Sequence, residues 1–154
     1  MSSDAAPGKD TGPCQGSAES TAQAAQRIIA ATRTIAVVGA SENPWRDSQR
    51  VMAYLLEVGF EVHPVNPNFS EVLGRTCVAR LEDIGAGIDT VVCFRRSSQI
   101  VPIAQSAIAI GARYLWMQLG VINREACLIA RTAGLSVVMD RCIMVDHRRM
   151  ERAD

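Results

Sequence analysis

Residues 35–41 read Ile-Ala-Val-Val-Gly-Ala-Ser. A continuous apolar run stops at a glycine, a small residue and a hydroxyl. Residues 42–48, Glu-Asn-Pro-Trp-Arg-Asp-Ser, then lead into a helical pattern in which Val51, Met52, Leu55 and Val58 share one face. That layout predicts a buried parallel strand, a tight turn and a helix N-terminus. Such a junction brings backbone N–H groups and the positive end of a helix close to a bound phosphate, so it points to a nucleotide-type ligand.

Outward from this unit the chain repeats one device. Strands are predicted over 35–38, 60–65, 90–94, 113–117 and 136–139, with helical patterns between them. Ile100, Ile103, Ala104, Ala107 and Ile108 form one apolar face, and Ala126, Ile129, Ala130 and Ala133 another. Gly59, Gly111 and Gly134 each close a helix just before a strand, where a left-handed residue stops the helix without a Cβ clash. Asn123 is placed to cap the third of these helices. Strand, helix, glycine, strand is the pattern of βαβ units with right-handed crossovers. The expected fold class is therefore α/β: a Rossmann-like, doubly wound, mainly parallel five-stranded sheet in the order 3-2-1-4-5, with helices on both faces.

The remaining segments have simpler readings. Residues 1–20 are rich in Ser, Ala, Gly and Pro and read as a disordered tail. Residues 22–32 form a short helix packed on the first strand. The long connection 66–88 holds a loop, a short strand near 76–78 and a weak helical turn at 81–84. A last helix over 142–150 packs against the first strands. The organisation is thus a tail, one domain over 21–150, and a C-terminal tail over 151–154.

Bulk properties exclude several classes. The chain has 154 residues, enough for one domain with a sizeable core, and a formal net charge of zero. Neither nucleic acid nor a membrane surface is implied as partner. The only lysine is Lys9, and every other basic side chain is arginine, whose fork binds phosphate bidentately. The five cysteines include no C-x-x-C pair, and no histidine stands at metal-ligand spacing, so no metal site is expected. Cys93 and Cys127 fall within apolar patterns as core residues. No run is long enough to span a membrane and no signal-peptide pattern is seen, so the expected setting is cytoplasmic.

Ligands of open parallel sheets bind beyond the carboxyl ends of the strands. Five groups of residues follow those ends. Gly39, Ala40 and Ser41 come after the first strand, with Arg46 and Ser48 at the mouth of the next helix. Each has a plainer reading, a tight turn with a local serine bond and a solvated arginine. Val65-Asn66-Pro67-Asn68 ends the second strand, where NAD-binding folds place an acid for the ribose hydroxyls. The missing acid and the absent G-x-G-x-x-G count against NAD. Phe94, Arg95 and Arg96 follow the third strand. Cations are badly placed at a helix N-terminus, so a nearby anion would help to explain them. Trp116-Met117-Gln118-Leu119-Gly120 ends the fourth strand, with Trp116 read as core and Gln118 as a ligand contact. Asp140-Arg141-Cys142 follows the fifth, with Cys142 a candidate reactive thiol. His63 and His147 are read as structural or surface histidines, and no catalytic residue is assigned.

The stretches Val-Val-Gly-Ala-Ser-Glu-Asn-Pro-Trp-Arg-Asp-Ser, Gly-Phe-Glu-Val-His-Pro-Val-Asn-Pro, Phe-Arg-Arg-Ser, Trp-Met-Gln-Leu-Gly-Val and Val-Val-Met-Asp-Arg-Cys occur in that order over 34–150. In this the chain resembles the small CoA-binding proteins whose domain is similar to the CoA-binding domain of the succinyl-CoA synthetase alpha subunit. The resemblance implies that coenzyme A, or an acyl-CoA, binds at the strand rim. Gly39, Ala40 and Ser41 would then sit at the pyrophosphate with Arg46 and Ser48 nearby. Asn66 and Pro67 would border the nucleotide, and Phe94, Arg95 and Arg96 would occupy the third-strand contact region. Met117, Gln118 and Gly120 would line the pantetheine side. The synthetase alpha subunit carries a second domain with a phosphorylated histidine, and no such region is seen here, so binding is implied and ligase activity is not. Two other readings stand beside this one: an acyl-CoA-handling enzyme subunit or NAD(P)-binding oxidoreductase, and an interaction protein that has lost its ligand.

Overall fold

The computed structural model describes residues 19–85 and 87–153, and the expected tail over 1–18 lies outside them. Seven strands and five helices follow in the order α1 (Thr21–Ala31), β1 (Thr34–Val38), α2 (Asp47–Glu57), β2 (Glu61–Val65), β3 (Glu71–Val72), β4 (Arg75–Thr76), β5 (Thr90–Cys93), α3 (Ile100–Ala109), β6 (Tyr114–Met117), α4 (Arg124–Thr132), β7 (Ser136–Val138) and α5 (Ile143–Ala153). The main sheet is β2-β1-β5-β6-β7, and every pair in it is parallel. This is the expected α/β doubly wound architecture.

Strand order needs one refinement. The five full strands stand in the order 2-1-3-4-5 along the chain. The expected 3-2-1-4-5 pattern appears once Val78 is counted as a rudimentary third strand, bridged in parallel to Val65 outside β2. Its Asn66 N–H to Val78 carbonyl bond is 2.9 Å. β7 is then a sixth strand. The short strand expected near 76–78 includes this residue, but its pairing beside β2 was not legible because one bridged residue carries no apolar period of its own.

Alternation along each strand divides the core. Ala36, Val38, Val91, Cys93, Leu115, Met117, Val137 and Met139 point to the face covered by α3 and α4. Ile35, Val37, Val92, Tyr114, Trp116 and Val138 point to the face covered by α1, α2 and α5. Both faces are therefore apolar, as an all-parallel sheet requires. α1 makes its most extensive contacts with α5 and β7, and α5 with α1 and α2, while Ile28, Ile29 and Ile143 share one buried cluster with Ile35 and Val37 of β1. On α4 the buried face is Ala126, Cys127 and Ala130, while Ala133 is exposed. α5 runs through residues 151–153, which are helix and not tail.

Helix ends follow local chemistry. Ser20 and Gln23 form a capping box that starts α1. Asn123 Oδ1 accepts from the Ala126 N–H at 2.8 Å and starts α4, as its position predicts. Gly59, Gly111 and Gly134 all have positive φ just beyond a helix. α2 differs from α1 and α4: Arg46 is its N-cap residue and no side chain caps it.

One carboxylate ties the amino ends of β1 and β5 together. Asp89 Oδ2 accepts from the backbone N–H of Arg33 at 2.9 Å and of Thr34 at 3.2 Å. Burial opposes its charge, but these bonds, with the Thr34 hydroxyl and Arg113, hold its pKa below the ordinary carboxylate value. A depressed carboxylate stabilises the fold above its unfolded value, near 4, and that contribution is lost as pH falls through the folded value. Asp89→Ala should cost about 1–3 kcal/mol at neutral pH. In urea unfolding from pH 7 to pH 2.5, the gap between wild type and variant should shrink as pH falls below about 4. A gap constant with pH would remove the charged state from this account.

Candidate functional site

The carboxyl ends of four strands stand level, with Val65, Val38, Cys93 and Met117 in one lateral register. Beyond β1, β2 and β5 a cleft of about 620 Å³ opens. It is lined by Gly39, Ser41, Asn43, Trp45, Arg46, Asp47, Ser48, Asn66, Asn68, Phe69, Phe94 and Arg95. Seven residues singled out in the sequence thus share one cleft: Gly39, Ser41, Arg46, Ser48, Asn66, Phe94 and Arg95. Six others do not line it: Ala40, Pro67, Arg96, Met117, Gln118 and Gly120.

The turn after β1 is set by close approach. Gly39 has φ +92°, and a Cβ there would lie 2.5 Å from the Phe94 carbonyl oxygen. Its N–H donates to Val65 O at 2.9 Å, and that of Ala40 to the same oxygen at 3.4 Å. Those two donors hold the turn against β2, so a phosphate would find its backbone donors further on. Asp47 and Ser48 open a helix without a side-chain cap, and among the described residues their N–H groups meet no acceptor. The helix dipole adds positive potential at this end. Arg46 and Arg95 make no ion pair among the described residues. The acid in the cleft, Asp47, is held by Arg50 at 2.6 Å.

Asn66 is buried and internally engaged. Its Nδ2 donates to Ala40 O at 2.7 Å, and its Oδ1 accepts from the Asn68 N–H at 2.9 Å. It welds the end of β2 to the turn after β1. The segment 41–46 is braced in the same manner. Ser41 Oγ accepts from the Asn43 N–H at 3.0 Å, and Asn43 Oδ1 accepts from the Trp45 N–H at 3.0 Å. Asn43, Trp45, Asn68 and Phe69 were not singled out in sequence. Asn43, Trp45 and Asn68 stood in quoted stretches, but no period marks which loop side chains turn inward.

The residues outside the cleft have structural work. Met117 is fully buried in the α3/α4 core. Gln118 is buried, and its Oε1 accepts from the Ile143 N–H at 2.9 Å, so it caps α5 instead of meeting solvent. The Gly120 N–H donates to Asp140 Oδ1 at 2.7 Å, joining the β6 and β7 ends. Arg96 is exposed and starts the turn Ser97–Gln99. Cys93, beneath Phe94, has its thiol pushed up to about 12 by burial and is a poor nucleophile. The Cys142 thiol is half-buried, and the Arg141 guanidinium beside it is committed to Asp146 at 2.8 and 2.7 Å. His63 pairs with Glu61, and His147 Nδ1 meets the Tyr54 hydroxyl at 2.6 Å. No cluster among the described residues could hold a metal, and no helix there is long and apolar enough to cross a membrane.

Known proteins share this fold. Residues 33–148 match the family model described as a CoA binding domain. YneT of Bacillus subtilis (strain 168), named as an uncharacterized protein, is 38% identical over 122 residues, covering 79% of this chain and 90% of that protein. The structure of a hypothetical protein from Pyrococcus horikoshii OT3 superposes with a TM-score of 0.82 at 38% identity, covering 89% of this chain and 99% of the other. The apo form of a dinucleotide-forming acetyl-coenzyme A synthetase 1 from Ca. Korarchaeum cryptofilum superposes with a TM-score of 0.61 at 26% identity, covering 68% of this chain and 25% of that one.

Proposed function

The chain belongs to the CoA-binding domain family, and from that premise we propose that the rim cleft binds coenzyme A or an acyl-CoA. The observation that carries this reading is the pairing of two guanidiniums, Arg46 and Arg95, with the uncapped end of α2 in one cleft. Phosphate is the group that answers both an open helix N-terminus and an arginine fork. The pyrophosphate lies at Ser41, Arg46 and Ser48, and Arg95 approaches from the β5 side. NAD is disfavoured because the place of the ribose-binding acid holds Asn66, whose amide is already bonded to Ala40 and Asn68.

In this reading the protein is a cytoplasmic module that carries or senses a CoA species without chemistry of its own. Calorimetry with CoA, acetyl-CoA, NAD and ATP tests it. Heat is expected with the CoA species, and affinity at least tenfold weaker with NAD and ATP. No heat with any CoA species, from folded and ligand-free protein, would sink the proposal. CoA-dependent turnover that disappears in Cys142→Ala would replace it with the enzyme-subunit reading.

A further inference from the structure

Trp45 is 89% exposed, the most exposed of the large apolar side chains described. A single exposed apolar side chain is ordinary on a protein surface, but this one also lines the rim cleft. Its indole N–H meets no acceptor among the described residues, whereas the buried Trp116 donates to Arg141 O at 2.8 Å. The backbone beneath Trp45 is nonetheless fixed. Its own N–H is bonded to Asn43 Oδ1, and the Arg46 N–H to Asn43 O at 3.0 Å. A large flat ring is thus held out from a braced turn, at the lip of the cleft that Arg46 also lines.

We propose that Trp45 is the platform on which the adenine of the bound CoA stacks. This rests on the reading that the cleft binds CoA, and it assigns the nucleotide end of the ligand to the α2 side. An aromatic face suits a purine, because stacking needs only a π-surface and little induced order. The neighbouring guanidinium of Arg46 and the N–H groups of Asp47 and Ser48 are placed for the phosphates attached to that nucleoside. The pantetheine arm, which has no ring, then leaves away from Trp45.

Fluorescence separates the parts of the ligand. Trp116 is fully buried, so a change in exposed tryptophan emission reports Trp45. CoA and adenosine 3′,5′-bisphosphate should quench or blue-shift that emission, and 4′-phosphopantetheine should not. By calorimetry, Trp45→Ala should weaken CoA and the bisphosphate by roughly tenfold to a hundredfold, the effect of losing one base stack. Trp45→Phe should restore most of the affinity, and 4′-phosphopantetheine should bind both variants as it binds wild type. Wild-type affinity for CoA in Trp45→Ala, or an equal emission change with 4′-phosphopantetheine, overturns the assignment and leaves CoA binding standing. Absence of CoA binding by the wild type overturns the underlying reading instead.

Discussion

Gly39→Ala is expected to cost about 2–4 kcal/mol of stability, combining an L-residue at positive φ with a steric clash. At this chain length that corresponds to a fall in Tm of roughly 5–15 °C. The clash is with backbone and cannot be relieved by rotating a side chain, since the added Cβ would lie 2.5 Å from the Phe94 carbonyl oxygen and 3.1 Å from its carbon. Relief requires β1 and β5 to separate at the rim, which also deforms the cleft between them. Gly120→Ala supplies the control. Its φ is +84°, but an added Cβ there meets nothing within 4 Å. It should lose only the conformational part, about 1 kcal/mol. Thermal and urea unfolding of the two variants side by side decides the matter. If Gly39→Ala is no less stable than Gly120→Ala, close approach is not what places a glycine after β1.

Arg46→Ala and Arg95→Ala are each expected to weaken CoA binding by roughly tenfold to a hundredfold, the loss of one charge-assisted phosphate contact. Stability should hardly move, because neither guanidinium has an ion-pair partner among the described residues. That split between affinity and stability marks a side chain kept for a ligand. Lysine at either position should recover part of the affinity, since it keeps charge but not the planar fork. Raising salt should weaken wild-type binding more than binding by the double variant. Calorimetry on the four proteins checks this, and unchanged affinity in both single variants would remove the phosphate clamp.

The two variants probe different layers of the sequence. Gly39 was legible because an apolar run that halts at glycine before a helical pattern has few structural readings. Arg46 was singled out at the mouth of α2 and Arg95 as a cation where a helix end disfavours it, and both line the cleft. Gln118 and Met117 lie outside the cleft, and sequence could not say so, because a strand end looks alike whether its side chain caps a neighbouring helix or meets a ligand. Here Gln118 binds the Ile143 N–H, 25 residues along the chain, and nothing local signals that partner. The bond from Asn66 to Ala40 O spans 26 residues and was equally out of view.

By itself the sequence determined the class of fold, the five strands of its main sheet and most helix ends, because these depend on period, capping and turn chemistry within a few residues. It also pointed to the rim after β1 as a place for an anion. Tertiary structure alone decided which rim residues share a cleft, that Val78 extends the sheet, and that the Gly39 and Ala40 N–H groups serve β2. Those outcomes depend on pairings between segments tens of residues apart. Only the packed sheet brings such groups within hydrogen-bond reach, and only there does one polar side chain become a brace and another remain open to a ligand.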